Sequence, residues 1–286
     1  MCVLKRQSFK AIYPEILHKI EPFLEQRYVH LVHDTRLKVQ GKTWEHRRSR
    51  ILWFCWLQGM DNAPEIVKAC YNSWKKHLPE REVKVVDNNN WNVFVELPEY
   101  IVQKWNNGRI PSANFSDLLR LELLIKYGGT WMDATVLCTG NVKVKDYLDA
   151  DLFLFQYTPK GTTEGISISN WFITSCTNNE VLMAVRDMLF EYWKEYDCVL
   201  DYYMFHLFFA LVAREFPEDI ATMPYGYSMS SLTLGNHWRE TFDQEKWDNL
   251  VSRISFHKLS YRLSEKHKHN KSNYYHWILK LYSKAS

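Results

Sequence analysis

Ile51-Leu-Trp-Phe-Cys-Trp-Leu57 is an unbroken apolar run with charge before it and Gln58-Gly59 after it, the pattern of a strand buried on both faces. Pro64 to Leu78 follows with Ile66, Cys70 and Trp74 on one stripe, which predicts a helix. Glu82 to Asp87 alternates as a second strand, and the polar Asn88-Asn89-Asn90 makes a loop. A β-α-β start of this kind opens many nucleotide-binding α/β domains. A helical segment is predicted near Pro98 to Trp105, then a long helix from Asn114 to Tyr127 that Gly128-Gly129 stops, then one strand from Thr130 to Leu137. Asp151 to Tyr157 and Asn170 to Ser175 read as further strands around a polar loop, 158–165. Two helices, about Glu180 to Tyr196 and Asp201 to Glu215, precede a Pro/Gly/Ser-rich stretch from Pro217 to Gly235 that reads as a lid or acceptor loop. Phe256 to Tyr261 is a short strand or loop, and Asn273 to Lys284 an amphipathic closing helix. Residues 1–48 read as a helical, basic extension, with Pro14 and Pro22 near helix starts.

The helix-strand hairpin carries the sharpest candidate site. Asp117 and Arg120 are three apart and share a helix face, where a carboxylate and a guanidinium can hold one polar ligand. From Asp117 to Tyr127 the helix runs about 15 Å at roughly 1.5 Å per residue. The strand from Thr130 returns about 13 Å at roughly 3.3 Å per residue, which brings Asp133 back to the level of Asp117.

Composition adds two things. The aromatic share is 15%, with twelve Trp, a surplus common where sugars or bases are stacked, although most such rings fill cores. The net charge of +3 hides a division: residues 1–50 sum to +6, residues 253–286 to +7 and the middle to −10. Basic ends, as at Lys42 to Arg50 and Arg262 to Lys271, suit an anionic membrane surface or a diphosphate, or are simply solvated faces. No recognisable nucleic-acid module accompanies the charge, so no nucleic-acid partner is expected. The six cysteines (2, 55, 70, 138, 176 and 198) include no Cys-x-x-Cys pair, which suggests reduced thiols in the cytoplasm. The longest apolar stretch, Met204 to Ala213, contains His206 and is too short to span a bilayer. A cytoplasmic protein, soluble or peripheral on the inner face of the plasma membrane, is expected.

Asp133 on a strand end, the Asp117/Arg120 pair and Trp56 at the end of the first strand are the groups a diphosphate-linked nucleotide needs: a stacking face, an acceptor for hydroxyls and a held cation. A divalent ion that keeps its waters can be held by one carboxylate and two phosphate oxygens. Blander readings stand beside these: a surface ion pair for Asp117 and Arg120, a strand-end cap for Asp133, core packing for Trp56 and a satisfied histidine for His257.

The segments Ile51-Leu-Trp-Phe-Cys-Trp-Leu-Gln-Gly59, Ser116-Asp-Leu-Leu-Arg-Leu-Glu-Leu-Leu124 and Tyr127-Gly-Gly-Thr-Trp-Met-Asp-Ala-Thr-Val136 resemble the capsular polysaccharide synthesis proteins. That family is similar to the Asp-x-Asp sugar transferases of the yeast α-mannosyltransferase and clostridial glucosylating toxin type. The resemblance covers about residues 50–140 and touches His257 to Tyr261. It implies a GT-A type α/β fold, a nucleotide-sugar-binding Rossmann-like domain with a mixed central sheet and flanking helices. This domain would span 49–286, with a donor half at about 49–140 and an acceptor or closing half at about 141–286.

The implied reaction is retaining, assisted by Mn2+ or Mg2+, and moves a hexose from a nucleotide diphosphate sugar to a capsular or cell-surface polysaccharide or a lipid-linked oligosaccharide. Carried over by position, Trp56 stacks on the base, Asp117 binds ribose or sugar, Arg120 contacts sugar or phosphates, Trp131 packs on the donor and Asp133 holds the metal. Thr135 departs from the pattern, standing where an Asp-x-Asp enzyme has its second carboxylate. A cation from elsewhere is then expected to help, and His257 and Lys258 are the candidates. On the acceptor side Asn170, Trp171, Asp201 with Tyr202, and Tyr225 suit a sugar hydroxyl or an aromatic platform; His206 reads as a core histidine. Two competing functions are a catalytically weak carbohydrate- or nucleotide-binding module and a sugar-phosphate transferase of capsule assembly.

Overall fold

In the computed structural model of the chain, residues 6–39, 45–140, 144–158 and 168–283 are described. Cys2, the Lys42 end of the basic stretch, all but the first residue of the 158–165 loop and Lys284 lie outside them.

The apolar run of the first strand forms β1 (Ile51–Cys55), with Leu52, Trp53 and Phe54 fully buried. Successive side chains point to opposite faces, so Trp53 enters one core while Leu52 and Phe54 enter another. Around it lie β2 (Glu82–Val86), β3 (Gly129–Met132), β4 (Val136–Cys138), β5 (Leu152–Gln156), β6 (Ile168–Ser175) and β7 (Phe256–Lys258). The main sheet has the order β2-β1-β3-β6-β5; β1 is parallel to β2 and β3, and β6 is antiparallel to β3 and β5. This is the mixed, helix-flanked α/β sheet expected.

The helices Ser112–Tyr127, Glu180–Glu195 and Met204–Glu215 contribute to the core on the Trp53 face. Glu65–His77, Ser228–His237 and Tyr274–Tyr282 contribute to the core on the other. The first helix, Arg6–Val39, belongs to the Trp53 core: Leu24, Tyr28 and Val32 are fully buried there. The Tyr28 ring meets Phe208 edge-on at 5.5 Å, and its hydroxyl donates to Glu195 at 2.7 Å.

Two expectations are corrected. The strand read from Thr130 to Leu137 is broken at Asp133: β3 stays in the main sheet and β4 leaves it to pair with β7. The break is hydrogen-bonded: Asp133 N donates to Trp171 O at 2.8 Å, and Val136 N closes a turn on Asp133 O at 2.8 Å. The stretch from Pro217 to Gly235 is largely helical rather than a loop, as Pro217–Thr222 and Ser228–His237. Pro217 opens the first of these, where a missing N–H costs nothing. Gly235 marks close approach rather than a flexible tip, because a Cβ there would sit 2.6 Å from the Lys258 carbonyl oxygen.

Candidate functional site

A cleft of about 280 Å³ opens beyond the carboxyl ends of β1 and β3. Open α/β sheets place ligands at such strand ends. Trp56, Asp117, Arg120, Trp131, Asp133, Thr135, Asn170 and Lys258 all line it. Each arrives by a short local route. Trp56 follows the last residue of β1, and Asp117 and Arg120 share one face of the Ser112–Tyr127 helix. Asp133 and Thr135 sit in the turn between β3 and β4, and the Val136–Lys258 rung of the β4–β7 pair sets Lys258 beside them.

Arg120 is the hub, and only 4% of it is exposed. Nη1 lies 3.3 Å from Asp117 Oδ1 and donates to the Asn170 carbonyl. Nη2 is 3.5 Å from Asp133 Oδ1 and 3.2 Å from Ser116 Oγ. The guanidinium carbon stands 4.9 Å from the centre of the Trp131 ring, whose Nε1 donates to Asp133 Oδ1 at 3.1 Å. Lys258 Nζ donates to Asp133 Oδ2 and to Thr135 Oγ1, both at 2.8 Å. Asn170 Nδ2 donates to Asp117 Oδ1 at 2.9 Å.

The two carboxylates are shifted in opposite directions. Burial pushes Asp117 up to about 6, and Arg120 and the Asn170 amide offset this only in part. Burial acts the same way on Asp133, but Lys258 and Arg120, with hydrogen bonds from Lys258 and Trp131, outweigh it and leave the group below the ordinary carboxylate value. For Asp117 the raised value means that the carboxyl favours the fold below the unfolded value of 3.8 and that this contribution is lost as pH rises to about 6. Asp117→Asn is therefore expected to be more stable than the parent at pH 7.5, by on the order of 1 kcal/mol, with no difference of that sign at pH 4. Urea denaturation at the two pH values measures it, and equal stability at pH 7.5 would remove the buried ionised Asp117 from the account.

Tyr261, Tyr202 and His206 are also among the lining residues. Tyr261 meets Trp56 edge-on at 5.3 Å, and Tyr202 is 75% exposed at the cleft wall. His206 is buried, as the sequence predicts, yet it reaches the cleft; burial, and then the charge of Arg120, push it down to about 3, so it is neutral. Its place on an apolar helix hides that second role. Tyr261 closes the His257 to Tyr261 segment singled out in the sequence, and Tyr202 follows Asp201 directly.

Four predicted residues are not brought to the cleft. His257 is fully buried on β7, where alternation turns it away from Lys258; its Nε2 lies 3.0 Å from Thr139 Oγ1, and burial lowers it to about 4. Trp171 is likewise opposite Asn170 on β6, with its ring stacked on Phe155 at 4.7 Å. Its carbonyl, not its ring, serves the site, by accepting from Asp133 N. Asp201 Oδ1 accepts from Tyr203 N at 2.7 Å, a turn that places Tyr202 at the wall. Tyr225 lines a separate cleft of about 590 Å³ with Tyr227, Lys246 and Arg253.

The donor set does not fit a divalent ion held by the protein. Oδ2 of Asp133 carries the Lys258 ammonium, and Oδ1 carries Trp131 Nε1 and the Arg120 guanidinium. Among the described residues no three His, Cys, Asp or Glu side chains gather as a metal site. A hard cation that wants oxygen ligands would have to take Asp133 from the two cations that already match it, and Asp117 is itself paired with Arg120.

A family model described as capsular polysaccharide synthesis protein matches residues 3–278. Glycosyltransferase afumC of Aspergillus fumigatus is 32% identical over 98 residues, 31% of this chain and 25% of that protein. O-glycosyltransferase PaGT of Phomopsis amygdali is 24% identical over 159 residues, 50% of this chain and 38% of that protein. The matched part is thus well under half the length of either relative. Among solved structures, one described as PaToxG Glycosyltransferase aligns with 91% of this chain and 97% of its own, at 12% identity and a TM-score of 0.41, a likeness too slight to decide anything about this chain.

Proposed function

Because the chain belongs to the capsular polysaccharide synthesis protein family, we propose that it is a glycosyltransferase that moves a hexosyl group from a nucleotide diphosphate sugar to a saccharide hydroxyl. The observation that carries this reading is the pair of cations, Arg120 and Lys258, fixed on either side of Asp133 at the strand ends, with an aromatic wall and a second carboxylate in the same cleft. Trp56 and Tyr261 offer the base an aromatic face. Asp117 accepts from a ribose or sugar hydroxyl, and Asn170, held by it, serves the sugar or the acceptor. Lys258 and Arg120 meet the diphosphate, and Trp131, lying under Arg120, keeps that guanidinium in place.

In the transfer, the bond between sugar C1 and the phosphate oxygen breaks, and its electron pair leaves with the diphosphate. A bond from the acceptor oxygen to C1 forms, and the acceptor proton passes to the leaving oxygen. The charge that grows on that oxygen is what a fixed ammonium and guanidinium stabilise most in the transition state. Asp133, engaged by both cations and held below the ordinary carboxylate value, is a poor inverting base, and Asp117 has Oδ1 taken by Arg120 and Asn170, which leaves only Oδ2. That supports retention of configuration. The acceptor is a capsular or cell-surface polysaccharide or a lipid-linked oligosaccharide. No described helix is long and apolar enough to cross a membrane, and the basic terminal segments suit the anionic inner face of the plasma membrane.

A panel of nucleotide sugars tests the reading. Release of a nucleoside diphosphate is expected with at least one donor. Release of a nucleoside monophosphate would make the protein a sugar-phosphate transferase instead, and donor binding with no release over long incubation would make it a binding module.

A further inference from the structure

We propose that the Lys258 ammonium takes the place of a divalent cation in this site, so that the donor diphosphate is bound and released without a metal ion; the inference rests on the glycosyltransferase reading above. Lys258 Nζ is 2.8 Å from the carboxylate at position 133 and 2.8 Å from the hydroxyl at position 135. It therefore sits between the two side chains that would otherwise face a metal together. Formal charge agrees. One carboxylate, one hydroxyl and one ammonium sum to zero, as two carboxylates and a divalent cation do. Exchanging the second carboxylate for Thr135 and adding Lys258 leaves the site's electrostatic demand on a diphosphate unchanged.

The ammonium is also built in rather than borrowed from a loose side chain. Its backbone is the Val136 rung of the β4–β7 pair, and Leu259 N donates to Thr135 O at 2.9 Å, so residues 135 and 258 are tied through the backbone. An ammonium has three N–H donors. Asp133 and Thr135 take two, which leaves one for a phosphate oxygen.

A divalent ion would have to displace that ammonium. Both Asp133 oxygens already carry donors, and Asp117 lies on the far side of Arg120 with its Oδ1 engaged by Asn170. Adding a doubly charged ion beside Lys258 and Arg120 sets like charges against one another around one carboxylate. In the transfer step, the leaving diphosphate oxygen takes the electron pair of the broken C1–O bond. Lys258 Nζ and the Arg120 guanidinium meet its new charge, and the acceptor's proton neutralises it. Nothing is oxidised or reduced, and no ion need enter or leave.

The test uses the full chain and two readouts other than turnover: calorimetric titration with UDP and with GDP, each in excess EDTA and in saturating Mn2+, and an electron paramagnetic resonance titration of Mn2+ alone. The wild-type protein is expected to bind one of the two nucleotides with the same affinity, within about twofold, in EDTA and in Mn2+. Lys258→Ala is expected to lose roughly 10- to 100-fold in EDTA, the range for a hydrogen bond to a charged group, and to recover much of it with Mn2+ because Asp133 is uncovered. Lys258→Arg, which keeps the charge, should remain independent of Mn2+ and shows that the alanine variant's loss is not misfolding. Nucleotide binding by the wild type only in Mn2+, or tighter Mn2+ binding by the wild type than by Lys258→Ala, would overturn the inference and leave the donor-site reading standing. No binding of either nucleotide in either condition would overturn both.

Discussion

Asp133→Ala is expected to lower turnover about a thousandfold while the protein stays folded. Asp133 is in contact with both cations of the cleft, at 2.8 Å from Lys258 and 3.5 Å from Arg120. It also accepts from Trp131 Nε1, which steadies the ring beneath the guanidinium. Without it, Lys258 keeps only the Thr135 hydroxyl and swings on a long side chain, and the two cations repel each other. A misplacement of about 1 Å in a positioning group can cost a factor of 10², and losing an aligned charge in the transition state costs a similar factor. The fold should tolerate the change, because the side chain is 29% exposed and Arg120 retains Asp117, Ser116 and Asn170. Single-turnover release of the nucleoside diphosphate measures the effect. Asp133→Asn, which keeps the shape and loses the charge, should fall between the two. An alanine variant that is folded and within tenfold of the parent rate would show that Asp133 does not organise the site.

Most of that cluster is legible in the sequence. Helical spacing puts Asp117 and Arg120 on one face, and matched lengths of helix and strand return Asp133 to their level; Arg120 in fact bridges the two carboxylates. Thr135, where a second carboxylate would stand, points to a cation from the C-terminal segment, and the ammonium of Lys258 lies against it. What stays hidden turns on period-2 alternation in strands whose partners are remote. His257 and Lys258 are adjacent, and so are Asn170 and Trp171, but only one of each pair can face the cleft. Choosing between them requires the register of β7 on β4 and of β6 on β3, contacts across more than a hundred residues and about forty. The break at Asp133 is invisible for the same reason, since the apolar pattern of Thr130 to Leu137 continues straight through it. His206 illustrates a different limit. A residue on the first turns of an apolar helix reads as core, and only the packing of that helix over the strand ends shows which side chains reach the cleft.

The largest structural effect is expected at Gly129. Gly128 and Gly129 have φ of 65° and 92°, both in the region that side chains with a Cβ avoid. Strain of that kind alone costs about 1–3 kcal/mol. At Gly129 space is also lacking: a Cβ would overlap the Ile51 carbonyl, which is backbone of β1 and cannot rotate away. β3 lies between β1 and β6 here, with Thr130 opposite Leu52 on one side and Gly129 opposite Ser175 on the other, so the strand cannot shift without breaking a ladder. Gly129→Ala should therefore lose about 3 kcal/mol or more of stability, which for a chain of this size lowers the melting temperature by roughly 6–10 °C. Gly108→Ala is the control. It has a φ of 68° but nothing within 4 Å of the added carbon, and it should show the conformational strain alone. Because the same strand ends at Asp133, a Gly129→Ala protein that does fold should also bind the donor nucleotide more weakly, whereas Gly108→Ala should not. Equal melting temperatures for the two variants would mean that β3 can yield beside β1, and that the glycine pair stops the helix without fixing the height at which Asp133 emerges.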